Sequence, residues 1–109
     1  MKKIILISLL TGSVSLTGFA ATDAATLWAD QCAKCHGAGG AGDTKMGKKL
    51  HIKDYSDAAV QASFTDEAAF TAIKDGVKDA KGTTKMKAIE GLTDEDVTAM
   101  VQYVRSLKK

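Results

Sequence analysis

Beyond its first twenty residues, the chain places apolar side chains at helical spacing and shows no alternation of apolar and polar residues typical of a strand. In a first segment, from about residue 24 to residue 34, Trp28, Cys32 and Cys35 recur at i, i+4 and i+7. These three residues therefore share one face of a helix. Asp23 precedes the segment and is the candidate N-cap. The pattern predicts a first helix that carries both cysteines on one side.

A second helix is predicted after the sequence Thr65-Asp66-Glu67. Behind this start, Phe70, Ile73 and Val77 recur at helical spacing. Gly76 marks the expected end of the helix, because glycine readily adopts the left-handed conformation that closes many helices.

The clearest helical pattern lies at the end of the chain. Thr93 and Asp96 have the spacing of a capping box, which begins a helix by satisfying its free N–H groups. Behind the cap, one apolar stripe contains Val97, Met100, Val101, Val104 and Leu107. A shorter helix is expected over about residues 56–63. Together these patterns predict an all-α domain with long loops at about 36–56 and 77–92.

The first twenty residues have the order of a secretory signal peptide. Two lysines precede an apolar run at residues 4–10, and Gly18-Phe19-Ala20 supplies small residues at the two positions that a signal peptidase recognises. Serine, threonine and glycine interrupt the run, whereas a membrane anchor needs roughly 20 predominantly apolar residues. We therefore expect a cleaved signal peptide at residues 1–20, export to the periplasm, and a mature domain at residues 21–109 without a membrane span.

The composition of the expected mature domain limits its functions. Cleavage after Ala20 would leave 89 of the 109 residues and remove Lys2 and Lys3, which lowers the number of basic residues from 15 to 13, equal to the 13 acidic ones. A neutral domain lacks the positive charge that nucleic-acid binding requires. Small domains with few large side chains usually need a disulfide, a metal or another staple. The composition therefore points to a group other than protein in the middle of the domain.

The sequence QCAKCHG at residues 31–37 contains both cysteines of the chain and one of its two histidines. On a helix, Cys32, Cys35 and His36 stand at i, i+3 and i+4, so two thiols and an imidazole project together from a single turn. The thiols can add to the two vinyl groups on the rim of a haem, while the imidazole nitrogen reaches the iron. Because C-x-x-C-H is the attachment pattern of haem c, Cys32 and Cys35 are predicted attachment sites and His36 an axial iron ligand.

Other sites that use the same residues fit less well. A structural zinc ion needs four nitrogen or sulfur ligands, and only His51 remains after the three residues of the haem motif. A thioredoxin-like pair needs a βαβ setting, and a disulfide across two residues would close a very small loop and stabilise little. The run Gly37-Ala38-Gly39-Gly40-Ala41-Gly42 matches a dinucleotide-binding pattern, but that pattern requires a preceding strand. We expect it to form a turn.

The second axial ligand of the iron is predicted to be Met86. This methionine lies in a predicted loop between Lys85 and Lys87 and on no apolar stripe, so packing alone explains it poorly. The alternatives are Met46 in a glycine- and lysine-rich loop, Met100 on the stripe of the last helix, and His51, which would give bis-histidine ligation.

Three stretches of the chain together resemble the small soluble class I cytochromes c of bacteria. They are Cys32-Ala33-Lys34-Cys35-His36-Gly37, Met86-Lys87-Ala88-Ile89-Glu90-Gly91-Leu92-Thr93 and the stripe from Val97 to Leu107. In that family the capped final helix is preceded by a methionine, two residues, a bulky apolar residue and a leucine. Ile89 and Leu92 occupy the last two of these places. The likeness covers essentially the whole expected mature chain. It implies the class I cytochrome c fold, with three to four helices wrapped around one covalently attached haem.

The resemblance also implies a function. A haem c whose iron is ligated by His36 and Met86 has no open position for a substrate, so we expect an electron carrier and not an enzyme. It would pass single electrons between redox partner proteins in the periplasm, as a monomer. The alternative is a five-coordinate haem protein that binds small gases or reduces peroxide, should Met86 not bind. A haem-free binding module held by a disulfide is a second alternative.

The chain departs from the family pattern at two places. Lys87 stands where members often have a proline after the axial methionine. Members also often have Gly-Pro-x-Leu after the haem motif, and the carbonyl of that proline accepts the histidine N–H. Gly47-Lys48-Lys49-Leu50 lacks this proline. We expect another backbone carbonyl of this stretch to orient His36, as acceptors around a metal site commonly do.

Lysines gather close to the predicted ligands. They are Lys45, Lys48, Lys49 and Lys53 after the haem motif, and Lys85 and Lys87 beside the methionine. Lysines that surround an exposed haem edge would steer an acidic redox partner. The alternative is that they are ordinary solvated side chains.

Overall fold

The structure is a computed structural model that describes residues 23–109. Its first helical segment begins after Asp23 and continues to His36. Asp23 accepts a hydrogen bond from the Ala25 N–H, which confirms the predicted N-cap. The elements are, in chain order, α1 (Ala24–Leu27), a π-helical turn (Trp28–Cys32), α2 (Ala33–His36), α3 (Lys45–Lys49), α4 (Ala58–Ala62), α5 (Asp66–Asp75), β1 (Val77–Lys78), β2 (Thr84–Met86) and α6 (Asp94–Ser106). The predicted signal peptide, residues 1–20, lies outside the described residues.

The π-helical turn differs from the regular α-helix that the spacing of the cysteines predicts. Within it the Ala33 N–H bonds to the Trp28 carbonyl, five residues back, so Cys32 stands at the junction of the wider turn and α2. Single π-helical turns inside helices often occur at functional sites. Periodicity does not distinguish such a turn from an α-helical one, because it changes the spacing by a single residue.

The boundaries of the two longer helices follow the predicted capping signals. The Thr65 hydroxyl accepts the Ala68 N–H at the start of α5, and Gly76 ends the helix with a φ of 78°. At the start of α6, Thr93 and Asp96 form the predicted capping box, in which each side chain accepts the other residue's backbone N–H.

The two predicted loops contain structure that the pattern did not predict. Gly76 turns the chain out of α5, so Val77 belongs to β1 and not to the helical stripe on which it was placed. The antiparallel strands pair Val77 with Met86 and Lys78 with Thr84, with an irregular register between them. Strands of two and three residues are too short for a visible alternation. Thr44 caps the short helix α3 inside the other predicted loop.

The core is formed where α6 packs against α1 and α5. The most deeply buried side chains are Met100 and Val97, each 1% exposed. The whole buried apolar cluster consists of Trp28, Cys32, Ile73, Val97, Met100, Val101 and Val104. Four of these seven residues belong to the apolar stripe of α6, and the all-α fold class is confirmed. None of the helices within residues 23–109 is long and apolar enough to cross a membrane.

Arg105 and Gln61 join α6 to α4, to the first residue of α5 and to the segment between these two helices. The Arg105 guanidinium donates to Asp66 Oδ1 at 2.7 Å, to the Phe64 carbonyl at 2.8 Å and to the Gln61 carbonyl, and lies 4.3 Å from the centre of the Phe64 ring. Gln61 is buried, and its Nε2 donates to the carbonyls of Tyr55 (2.6 Å) and Val104 (2.9 Å). Buried polar groups are tolerated when they are paired in this way.

We predict that Gln61→Met destabilises the protein by about 1–3 kcal/mol, because the apolar side chain removes the donor that the part-buried Tyr55 carbonyl and the buried Val104 carbonyl share. Gln102→Met, at an exposed position of α6, is the control for the same change in chemistry and should stay within about 0.5 kcal/mol of the parent protein. Urea unfolding of the haem-loaded proteins measures both values. Equal losses in the two variants would contradict the role given to Gln61.

Candidate haem site

A cavity of about 1100 Å³ opens between the haem motif, α3 and the β1–β2 hairpin. All four residues predicted for the site, Cys32, Cys35, His36 and Met86, line this cavity. Apolar side chains from several elements complete the wall, namely Leu27, Met46, Leu50, Ile52, Val77, Ile89 and Leu92. Pockets for small molecules usually measure roughly 300–1,000 Å³, so the cavity is large enough for a planar macrocycle.

The two cysteines are free thiols on the first helical segment. Cys32 is buried and Cys35 is half-buried. Burial, with a smaller contribution from the neighbouring Cys35, raises the pKa of the Cys32 thiol to about 11. The thiol is therefore uncharged at neutral pH. An uncharged sulfur in an apolar wall suits a thioether link to a hydrophobic ring.

His36 ends α2 and is half-buried at the cavity. Burial lowers the pKa of its imidazole, which favours the neutral form that binds metals. Its Nδ1 is buried without a hydrogen-bond partner among the described residues, which leaves Nε2 as the nitrogen that can face the cavity. The expectation that a backbone carbonyl of residues 47–50 orients His36 is wrong. The Gly47 carbonyl accepts the Ile52 N–H instead, at 2.9 Å.

Close backbone contacts hold α3 against the haem motif. The Thr44 hydroxyl donates to the Cys35 carbonyl at 2.6 Å and accepts the Gly47 N–H at 2.8 Å. A Cβ on Gly47 would lie 2.5 Å from the Gly42 carbonyl oxygen and 2.6 Å from that of Cys35. Only glycine fits at this position, so Gly47 permits the approach of α3 to the wall that carries the thiols.

Met86 ends β2, is half-buried, and packs against the apolar core. Two contacts with the end of α5 hold it there. Gly76 has a φ of 78°, and a Cβ on it would lie only 2.6 Å from the Met86 carbonyl oxygen. Three residues after Met86, the Ile89 N–H bonds to the Ile73 carbonyl at 2.9 Å. The thioether thus reaches the cavity from a segment fixed to α5, separate from the helix that carries His36.

The other ligand candidates occupy different environments. Met100 is 1% exposed within the core, which is the packing role that its place on the stripe suggests. Met46 lines the cavity and is 43% exposed, next to the wall that carries Cys35. His51 is exposed, does not line the cavity, and has a φ of 55°, in the left-handed region.

Tyr55 is a residue of the site that the sequence pattern did not reveal. Its half-buried ring lines the cavity and stacks on the His36 imidazole, with ring centres 5.3 Å apart. Burial raises the pKa of its hydroxyl. The surrounding sequence Asp54-Tyr55-Ser56-Asp57 is polar and has no helical period, so it carries no signal of a buried aromatic ring.

The donor set and the cavity fit a covalently bound haem. Two thiols and an imidazole line one cavity, and the buried Nδ1 of His36 leaves its second nitrogen for the iron. Lysines outnumber acidic residues in the cavity wall. The lysines are Lys34, Lys53, Lys78, Lys85 and Lys87, and the acidic residues are Asp75 and Glu90.

Comparisons with known proteins agree with this fit. The sequence profile of the family Cytochrome c matches residues 21–108. A solved structure described as "KustC0563 c-type cytochrome" is 33% identical with a TM-score of 0.68, and the match covers 80% of this chain and 99% of that one. A tyrosine-to-phenylalanine mutant of that protein is 31% identical with a TM-score of 0.64, over 79% of this chain and 99% of its own. No curated protein matches the chain.

We predict that Gly76→Ala destabilises the haem-loaded protein more than Gly82→Ala does. Both glycines have a φ near 79°, which costs about 1–3 kcal/mol for other residues. A Cβ on Gly82 has no atom within 4 Å, whereas a Cβ on Gly76 meets the Met86 carbonyl oxygen. The clash should add about 1–3 kcal/mol, as overpacking does. Denaturant unfolding of the two variants measures the difference, and equal losses would show that Gly76 does not hold the Met86 backbone.

Proposed function

The chain belongs to the cytochrome c family, and we propose that it carries single electrons on a haem fixed to Cys32 and Cys35 and ligated by His36 and Met86. Members of this family bind haem c covalently, with iron as the redox metal. The observation that carries the proposal is the presence of all four side chains in the wall of one cavity. Met86 lies 51 residues after Cys35, so the local C-x-x-C-H motif alone does not bring the four side chains together.

Each of these side chains has a distinct part in holding the cofactor. Haem c supplies the one-electron couple of ferric and ferrous iron. Cys32 and Cys35 would hold the ring to the first helical segment by thioether bonds, so that it cannot be lost to other proteins. His36 offers a neutral imidazole nitrogen. Met86 offers a soft thioether, which favours ferrous iron and raises the reduction potential.

The apolar wall of the cavity favours the same oxidation state. Leu50, Ile52 and Leu92 line the site and would exclude water from it with the haem bound. A charged group is costly in such surroundings, so the extra positive charge of the ferric state is penalised. If His36 and Met86 both bind the iron, no position would remain open for a substrate. This arrangement would favour a carrier function over an enzymatic one.

We place this electron exchange in the periplasm, because the order of basic, apolar and small residues in residues 1–20 is that of a cleavable export signal. The partners would be redox proteins that approach the lysine-rich wall of the cavity. Lys53, Lys85 and Lys87 are exposed and line it, and α3 places Lys45, Lys48 and Lys49 beside it. This excess of positive charge favours acidic partners.

We predict that Met86→Ala removes the weak far-red absorption of the ferric protein that accompanies a bound methionine, and that it lowers the reduction potential. Met46→Ala is the matched control, since it removes a thioether from the same cavity and should leave both properties unchanged. Optical spectra and redox titration measure these effects. The opposite pattern in the two variants would assign the ligand to Met46.

Carbon monoxide separates the carrier from the five-coordinate alternative. The reduced parent protein should not bind the gas, because Met86 occupies the sixth position, whereas reduced Met86→Ala should bind it. Rapid binding by the parent protein would favour a gas-binding or peroxide-reducing function. A colourless preparation from cells that attach haem c would contradict the whole proposal.

Because the cavity wall is rich in lysine, we predict that salt changes the rate of oxidation by an anionic oxidant and the rate of oxidation by a cationic oxidant differently. Between about 0.01 M and about 1 M salt the Debye length falls from ~30 Å to ~3 Å. Oxidation of the ferrous protein by ferricyanide, an anion, should slow by about tenfold or more. Oxidation by the cation tris(phenanthroline)cobalt(III) should not slow. Stopped-flow absorbance measures both rates.

Two double variants with equal net charge locate the responsible lysines. Lys53→Gln with Lys87→Gln changes the cavity wall, and Lys81→Gln with Lys108→Gln changes exposed positions that do not line it. Only the first pair should weaken the salt dependence with ferricyanide. An equal effect of both pairs would show that the lysines act through net charge alone.

A further inference from the structure

The imidazole of His36 contacts two aromatic rings. The Trp28 ring lies 5.5 Å from it, centre to centre, with an angle of 38° between the planes. The Tyr55 ring lies 5.3 Å from it at 28°, in a stacked arrangement. Within residues 23–109 the rings of Trp28 and Tyr55 do not contact each other. The imidazole therefore contacts two aromatic rings that do not contact each other.

Both aromatic rings are fixed by bonds that do not involve His36. The Trp28 Nε1–H donates to the carbonyls of Gly37 and Ala38, each at 3.1 Å, and the residue is 3% exposed. The Tyr55 N–H bonds to the Gly40 carbonyl at 2.8 Å, and the Tyr55 ring packs edge-on against Phe64. The turn after the haem motif thus anchors both neighbours of the imidazole.

The usual means of orienting a histidine ligand is absent from the described residues. A metal-bound histidine commonly donates its second N–H to a carbonyl or carboxylate, which fixes the rotation of the ring. The Nδ1 of His36 is buried and has no such acceptor. Rotation about the Cβ–Cγ bond must then be restricted by the groups that contact the ring, and these include Trp28 and Tyr55.

We propose that the rings of Trp28 and Tyr55 orient the axial imidazole of His36 in place of a hydrogen bond at Nδ1. This inference rests on the proposed function, in which His36 binds the iron. Tyr55 is then a positioning residue that acts through its ring and not through its hydroxyl. A second consequence concerns the donor strength of the ligand. Without an acceptor the imidazole donates less electron density, which stabilises ferric iron less and raises the reduction potential.

The test compares Tyr55→Leu with Tyr55→Phe in the haem-loaded ferric protein. The proton NMR shifts of the haem methyl groups and the electron paramagnetic g values both depend on the plane of the axial imidazole. Tyr55→Leu should change the order of the methyl shifts, whereas Tyr55→Phe keeps the ring and should preserve it. Phe70→Leu is the control, since Phe70 packs on the same core without contacting His36. It should preserve the order as well.

Two results would overturn the inference. One is an unchanged methyl pattern in Tyr55→Leu with a low-spin spectrum like that of the parent protein. The other is a changed pattern in Tyr55→Phe, which would assign the effect to the hydroxyl. Failure of the proposed function is distinguishable from both, because a parent protein without histidine ligation would give a different spectrum before any substitution.

A measurement on the unmutated protein provides a test even if Tyr55→Leu does not fold. In the ferrous, diamagnetic state, nuclear Overhauser contacts should join the His36 ring protons to ring protons of both Trp28 and Tyr55. The Nδ1 proton should lack the downfield shift of a strong hydrogen bond. A strongly downfield Nδ1 proton, or the absence of contacts to Tyr55, would overturn the inference.

Discussion

The burial of Trp28 is the constraint on which the site depends. Its ring contacts Tyr103 of α6 on one side and the imidazole of His36 on another, and its indole N–H holds the turn that follows the haem motif. One side chain therefore sets the position of the helix with the thiols, of the last helix and of the imidazole. The other walls of the cavity are α3 and the β1–β2 hairpin. Close backbone contacts at Gly47 and Gly76 hold them in place.

The sequence predicts the elements whose signals are local. The capping residues Asp23, Thr65 and Thr93 start their helices where the pattern places them, because a side-chain oxygen and a free N–H meet within a few residues. Met86 lines the same cavity as the haem motif, in keeping with its place in a segment between two lysines, and its binding to iron stays a prediction. The all-α class followed from the apolar stripe of α6, which supplies most of the buried cluster.

The features that escaped prediction depend on distant contacts or on very short elements. Tyr55 meets His36 only because the chain folds back through the glycine turn, and nothing in its polar neighbourhood indicates burial. The strands are too short to show a period, and the π-helical turn changes the spacing of a helix by one residue. The acceptor predicted for His36 was wrong because of a contact that the sequence does not indicate. The Gly47 carbonyl accepts the N–H of Ile52.

The hairpin that carries Met86 is a small part of the fold with few partners. Its two strands pair at Val77 with Met86 and at Lys78 with Thr84, and most of their residues are exposed. Segments of this kind open at a free-energy cost well below that of global unfolding. If Met86 binds the iron as proposed, opening would carry its thioether away from the cavity, and ligand exchange and local unfolding would be a single equilibrium. A change of colour would then precede the loss of helix on heating, and amide hydrogen exchange in the hairpin would depend on the oxidation state.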